Sequence, residues 1–304
     1  MNTTYYTLDV FTKTAFQGAQ IAVFPFAENL SDDLLPLIAK EINLSETVFI
    51  YPSEEGGSTF NIRIFSPRGE VDFAGHPILA TAHVLAETGQ LLIQGDYTSI
   101  TLNEKSKTIV ANMSLHKSAN KFVQFTLQCN PEVDRFTPPT EELARFLSID
   151  ESDIDQAHFH TRLVSEGLPY LVVPLLSQSA VRRAQFDIKA WSESSAPEMA
   201  AHEILLFSAK TNSSDSNFHG RLLGPSIGFN EDPPIGSAMP AFCGYLASHD
   251  HIRKGTYSFA IDRGTVVTRR SLLHIEMDKR VGWPLTLRVG GDSVLVSKNE
   301  LLVN

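Results

Sequence analysis

The stretch FSPRGEVDFAGHPILATAHVLAETG, Phe65 to Gly89, decides the fold. It reads as a strand, a tight turn at Ala74-Gly75-His76-Pro77, and a helix of Ala, Leu and Val that is apolar on nearly every side. A helix of that kind is normally buried all round. Pro77 suits its first turn, because the N–H that proline lacks has no intrahelical partner there. Gly75, without a side chain, and His76 then stand at the positive end of a buried helix, where an anion is favoured.

The same plan recurs in RLLGPSIGFNEDPPIGSAMPAFCGYLASHD, Arg221 to Asp250. Aligned at Gly75 and Gly236, His76 falls on Ser237, Ala80 on Ala241, Leu85 on Leu246 and Ala86 on Ala247. Upstream, Arg63-x-x-x-Pro67 matches Arg221-x-x-x-Pro225 with a small shift in spacing. The shared order of turn and buried helix implies an internal duplication whose two helix starts face one cleft.

Working outward, the pattern predicts strands at Tyr5–Val10 and Ile21–Phe26, then a helix from Leu34 to about Ile42 with Ser31-Asp32-Asp33 as its cap. Asn43 to Glu46 breaks that helix, and Thr47–Tyr51 follows as a strand, which puts Glu46 at the junction. Short strands at Thr59–Phe65, Tyr97–Leu102, Lys107–Met113 and Phe122–Cys129 bring the chain to its midpoint. A helix from Thr140, strands at His158–Val164 and Tyr170–Val173, a mostly helical Ser177–Trp191 and a strand at Ile204–Ala209 lead to the second buried helix. Strands at Tyr257–Asp262, Thr265–Thr268, Leu272–Met277, Leu285–Gly290 and Ser293–Val296 finish it. Many short strands around two internal helices predict an α+β fold with mixed sheets. The halves are expected at residues 1–118, completed by about 292–304, and at 119–291.

The 304 residues carry 42% hydrophobic and 20% charged side chains, as soluble globular chains do. A formal charge of −10 without a dense basic cluster argues against a nucleic-acid or anionic-membrane partner. The N-terminal residues lack a signal-peptide pattern and no apolar run is long enough to span a bilayer, so a cytoplasmic protein is expected. Cys129 and Cys243 stand far apart, in neither metal nor redox spacing. The pairs His158/His160 and His249/His251 have no carboxylate or cysteine at ligand spacing, so no metal is expected. Phosphate-loop, dinucleotide, zinc-protease and nucleophile-elbow signatures do not occur, and no cofactor is expected.

Five polar residues occupy the conspicuous turns: Glu46, Asp72, His76, Asp232 and Ser237. His76 is placed to relay a proton or to bind a carboxylate, or else packs for structure. Ser237 either bonds a ligand oxygen or caps its helix. Asp232 lies in a rigid Glu-Asp-Pro-Pro loop aimed at the second helix start, whereas Asp72 alternates with Val71 and Phe73 on the solvent side of a strand. Glu46 is an ordinary loop glutamate by its pattern; close to an imidazole and two helix starts, it could move a proton.

LSETVF around Glu46, DFAGHPILATA around His76 and EDPPIGSA from Glu231 to Ala238 together resemble the signature segments of the phenazine biosynthesis protein PhzF family, which shares the diaminopimelate-epimerase fold. The resemblance runs over nearly the whole chain. It implies two pseudo-symmetric halves, each a curved, barrel-like sheet around a central helix, with the site in the cleft. It further implies that Glu46 is the general acid/base, that His76, Asp232 and Ser237 orient substrate and assist the proton transfer, and that backbone N–H groups near Gly75 and Gly236 grip a substrate carboxylate. The function expected is a cofactor-independent isomerase acting on a small carboxylate, in a homodimer. The alternative is an idle binding or interaction protein of the same fold. Gly18-Ala19-Gln20, Pro234-Ile235 and Thr268-Arg269-Arg270-Ser271 depart from the family pattern and put substrate identity in question.

Overall fold

The structure is a computed structural model and describes residues 2–72, 75–93, 95–115, 121–199, 203–225, 227, 233–265 and 267–302. In chain order it contains β1 (Asn2–Val10), β2 (Ala19–Phe24), α1 (Leu34–Ile42), β3 (Glu46–Pro52), β4 (Thr59–Ser66), β5 (Gly69–Val71), α2 (Gly75–Glu87), β6 (Tyr97–Asn103), β7 (Thr108–Leu115) and β8 (Lys121–Cys129). There follow β9 (Glu132–Asp134), α3 (Thr140–Leu147), β10 (Arg162–Glu166), β11 (Leu168–Pro174), α4 (Gln178–Arg183), α5 (Ile188–Ser192), β12 (Glu203–Ser208) and β13 (Phe218–Leu223). The chain ends with α6 (Met239–Ala247), β14 (Gly255–Arg263), β15 (Ser271–Lys279) and β16 (Leu285–Leu302). It forms two compact units, the first made of Met1–Leu127, Arg269–Leu273 and Arg288–Asn304, the second of Gln128–Thr268 and His274–Leu287.

The first unit is a closed eight-stranded barrel. Its strands run β1-β2-β3-β4-β6-β7-β8-β16, and β16 returns to pair with β1. Closure leaves the barrel without an unpaired edge. The β2–β3 and β4–β6 pairs are parallel, while β1–β2, β3–β4 and β6–β7 are antiparallel. Helix α2 packs against β1, β2, β3 and β7 and fills the interior, and every residue from Gly75 to Leu85 is buried. That is why its sequence shows no polar face. On the other side of the sheet, α1 covers Phe24, Phe49 and Phe65, whose rings stack or meet edge to face with Tyr5 at the end of the row.

The second unit is a mixed sheet in the order β16-β15-β14-β13-β12-β11-β10-β9. Here β10–β11 and β12–β13 are antiparallel and β11–β12 and β13–β14 parallel, the same alternation as in the barrel. Helix α6 is buried from Met239 to Leu246 and packs against β9, β10 and β11. A separate core lies under α3, α4 and α5, with Phe146, Leu147, Val173 and Leu206 at its centre.

Several local expectations change. Thr265–Thr268 is a turn, not a strand: the Thr265 and Thr268 hydroxyls accept each other's backbone N–H, and Val267 is exposed. The strand expected from His158 starts only at Arg162, because Asp155 Oδ1 accepts the N–H groups of Ala157 and His158 and holds that segment in a turn. Leu285–Gly290 and Ser293–Val296 are one continuous strand, β16. Gly290 and Gly291 carry it through, since a Cβ there would come within 2.7 Å of Phe122 and 2.6 Å of Phe11. The cap expected for α1 is not made, and Asp32 instead pairs with Arg63 at 2.8 Å.

Candidate active site

Helix α1 ends at Asn43, whose left-handed φ of 52° turns the chain back toward the sheet. β3 then begins with Glu46, parallel to β2 and opposite Ile21, on the barrel's inner side. His76 is the second residue of α2 and is 3% exposed. Together these elements place Glu46 Oε2 2.6 Å from His76 Nε2. Ser45 Oγ lies 3.4 Å from the same nitrogen and donates to the Gln20 carbonyl at 3.1 Å.

The Glu46 side chain is 19% exposed, yet Oε2 itself is buried. The short contact to Nε2 is out of line for a hydrogen bond, so Oε2 keeps a lone pair with no aligned donor. Burial pushes the carboxyl upward, but the His76 imidazole and the Ser45 hydroxyl outweigh it and hold Glu46 below its ordinary value. Glu46 is therefore an ionised, partly desolvated carboxylate with an imidazole against it. Such a group can take a proton and be stabilised in either state by its neighbour.

The other residues singled out by sequence fall into two sets. Gly75 is the buried first residue of α2. Asp72 is exposed and lies 3.9 Å from the exposed Lys105, on the solvent side as expected. Gly236 and Ser237 form a single 3-10 turn before α6, with Gly236 buried and Ser237 exposed. No side-chain cap is made at that turn or at α6, so capping does not account for Ser237. Its polar neighbour is the Tyr170 phenol, which also sits beside Glu203. Asp232 lies outside the described residues. Sequence reasoning passed over Ser45, Tyr170 and Glu203. Ser45 was visible as the residue before Glu46; Tyr170 and Glu203 carry no local signal, because their pairing belongs to the β11–β12 register.

The two departures near the barrel's first hairpin touch each other. Gly18 N–H donates to the Arg270 carbonyl at 2.9 Å, Arg270 N–H donates to Gln17 Oε1 at 2.9 Å, and Arg269 pairs with the buried Asp9. Cys129 and Cys243 are both buried, and burial pushes the Cys243 thiol well above its ordinary value. Of the His-x-His pairs, His249 and His251 pack around the Phe159 ring, and His249 Nδ1 faces the Tyr245 carbonyl at 2.9 Å. Among the described residues no helix is long and apolar enough to cross a membrane.

A family model described as phenazine biosynthesis-like protein matches residues 8–299. The chain belongs to that family. It is a PhzF-like isomerase, and several of its relatives are named isomerases. It is 31% identical over 302 residues to an uncharacterized isomerase of Mesorhizobium japonicum, with 98% of each chain covered. It is 28% identical to the trans-2,3-dihydro-3-hydroxyanthranilate isomerase of Pseudomonas aeruginosa, covering 89% of this chain and 88% of that one. The crystal structure of a Bacillus anthracis PhzF-family protein superposes over 100% of both chains with a TM-score of 0.87 at 21% identity, so this PhzF-family chain shares its fold.

Proposed function

We propose that the protein moves a proton between two carbons of a small carboxylate-bearing substrate without a cofactor, with Glu46 as the general acid/base. One observation carries this reading: a buried carboxylate oxygen with no aligned donor, 2.6 Å from an imidazole at the start of a buried helix. In the first step the carbon–hydrogen bond breaks, its proton passes to Glu46 Oε2 and its electron pair moves into the substrate's π system. In the second, the proton returns from Oε2 to a different carbon as the double bond shifts. No electrons are gained or lost, so neither oxidant nor reductant is required. His76 Nε2 stands 2.6 Å from Oε2 and orients the carboxylate. The N–H groups at Gly75 offer the substrate carboxylate a dipole-favoured seat, and the family resemblance supports Gly236, Ser237 and Asp232 as further site residues.

The name of the Pseudomonas aeruginosa relative supports a small carboxylate as the substrate class. The joined departures at Gly18-Ala19-Gln20 and Thr268-Arg269-Arg270-Ser271 include Gln20, whose carbonyl accepts the Ser45 hydroxyl, and are where this chain's own substrate preference is set. The resemblance also supports a homodimer, which sedimentation checks. The deciding trial is solvent deuterium incorporation into a panel of small carboxylates that begins with trans-2,3-dihydro-3-hydroxyanthranilate. Parent protein is expected to incorporate deuterium at carbon, and Glu46→Gln to lose about 10²- to 10⁴-fold in rate. Equal incorporation by both removes Glu46 from the mechanism.

A further inference from the structure

The two units differ just past the C-terminal ends of their central helices. In the sequence repeat aligned at Gly75 and Gly236, Gln90 falls on His251. The sheet register adds a second match. Ile21 faces Glu46 and Tyr170 faces Glu203 across parallel pairs, so Pro25, just past β2, corresponds to Pro174 at the end of β11. In the first unit Gln90 Nε2 donates to the Pro25 carbonyl at 3.2 Å, and Leu91 beside it in the chain is buried. In the second unit the Pro174 carbonyl accepts the Asp155 N–H at 2.9 Å instead, and His251 is exposed. Where the first unit makes its tie, the second has a cavity of about 520 Å³, lined wholly by its own residues.

Main-chain bonds hold the walls of this cavity. Leu175 N–H donates to the Phe207 carbonyl at 2.7 Å and Leu176 N–H to the Asp153 carbonyl at 2.8 Å. Phe207 is fully buried and meets Phe159 edge to face with ring centres 5.4 Å apart. Phe159 packs in turn against His249 and His251. With Pro174, Leu175 and Leu176 the two rings give an apolar lining, and the volume suits a small ligand.

Charge selects the ligand's class. Two ionic side chains border the cavity, Asp155 and Lys210. Asp155 is buried, and its Oδ1 already accepts the N–H groups of Ala157 and His158 at 2.9 and 3.1 Å. The Lys210 ammonium is exposed and pairs with no carboxylate among the described residues. Its main chain is nevertheless fixed, because the N–H donates to Ser208 Oγ at 3.1 Å and the carbonyl accepts the Gln178 N–H at 3.2 Å. The negative end of α6 does not oppose an anion here, since Lys279 Nζ donates to the Ala247 and Ile252 carbonyls at 2.6 and 2.8 Å. His158 and His251 add ring N–H donors at the border.

We propose that this cavity is a second small-molecule site, for a flat aromatic monoanion whose ring lies against Phe159 and Phe207 and whose charge meets Lys210 Nζ. The site is independent of the isomerase reading, because Glu46 and His76 belong to the first unit. It also gives a use to the His-x-His pairs singled out in the sequence: His158 and His251 border the ligand, and His249 supports Phe159.

The test is calorimetric titration of the full chain with 2-naphthoate, with the uncharged 2-naphthamide and with decahydro-2-naphthoate, which keeps the charge but is not flat. The parent is expected to bind 2-naphthoate about fivefold more tightly than the amide and about three- to tenfold more tightly than the saturated acid. Lys210→Gln should weaken 2-naphthoate about fivefold and leave the amide unchanged, a pattern that general loosening of the fold does not produce. Phe159→Leu should weaken both aromatic compounds and remove the advantage over the saturated acid. Should Phe159→Leu unfold, Lys210→Gln, a change to an exposed side chain, carries the comparison. Glu46→Gln should leave 2-naphthoate affinity as it is. No binding by the parent, equal affinity for the amide or for the saturated acid, or unchanged 2-naphthoate affinity in the folded variants would overturn the proposal. So would a loss in Glu46→Gln as large as that in Lys210→Gln, which would put the ligand in the first unit.

Discussion

At the start of α2 a carboxylate meets an imidazole at 2.6 Å; at the start of α6 a carboxylate adjoins a phenol that also neighbours a serine hydroxyl. Both carboxylates open a strand that runs parallel to its neighbour, and both units place an arginine opposite the residue three positions on. The frames are the same and the titratable partners are not. The first carboxylate meets an imidazole, the second a phenol whose pKa burial raises. Duplication thus supplied two equivalent frames that differ in two side chains, Ile21 against Tyr170 and His76 against Ser237.

The largest expected effect breaks the comparison at its centre. Glu46→Gln should reduce carbon-hydrogen exchange by about 10²- to 10⁴-fold, and Glu203→Gln by less than about tenfold, measured by mass spectrometry on the same ligand. A loss from Glu203→Gln as deep as that from Glu46→Gln would make the two ends equivalent. His76→Asn probes the same seat through pH. With the imidazole gone, only the Ser45 hydroxyl still opposes burial and the Glu46 carboxyl rises, so the acid limb of the pH–rate profile should move to higher pH. In the parent, the depressed carboxyl contributes stability that is present above the ordinary carboxylate range and lost as pH falls through the folded value.

Two buried groups of the barrel sharpen the contrast through stability. Burial pushes His83 down to about 4, so its stabilising contribution is complete above about 6.5 and is lost as pH falls toward 4. Burial pushes Glu104 up to about 8, with both carboxylate oxygens unpartnered, so its contribution is complete below the ordinary carboxylate value of 4.5 and is lost as pH rises toward 8. The two windows span roughly 3 kcal/mol for His83 and roughly 5 kcal/mol for Glu104. Urea titrations at several pH values should show His83→Gln flattening the acid flank and Glu104→Gln the alkaline one. Unchanged flanks would mean that neither group keeps its buried state in solution.

The smallest effects separate the matched arginines. Arg221 donates from Nη1 to the carbonyls of Arg182 and Ala184 at 3.0 and 2.8 Å and so holds the end of α4, whereas Arg63 pairs with the exposed Asp32 and with Glu70 near the surface. Arg221→Ala should cost about 1–3 kcal/mol, because helix-end carbonyls lose a charged donor. Arg63→Ala should cost under about 1 kcal/mol, less at high salt. Thermal melts of both variants give the ranking, and a reversed order would refute the structural asymmetry.

Much of this was legible in the chain. The apolar run after Gly75 required a buried helix, Pro77 fixed where it starts, and the echo at Gly236 exposed the duplication. Glu46 could be located at a junction but not judged, because strand periodicity carries no information on what lies opposite a strand's first residue. Thr265–Thr268 misled, since β-branched residues favour strands until their own hydroxyls claim the backbone N–H groups. The continuous β16 was read as two strands because two adjacent glycines look like a break, and only the rings of Phe122 and Phe11 show why they are there.

By itself the sequence determined the α+β class, the two buried helices with glycine and a polar residue at their heads, and the presence of an acid and an imidazole for proton work. These follow from local rules: side-chain periodicity, the missing N–H of proline, the missing Cβ of glycine. Tertiary structure alone decided that Glu46 lies against His76 and that Tyr170 and Glu203 face each other near Ser237. Those contacts join residues 30 or more positions apart through strand register, and register is fixed by how whole sheets pair rather than by any residue's neighbours in the chain.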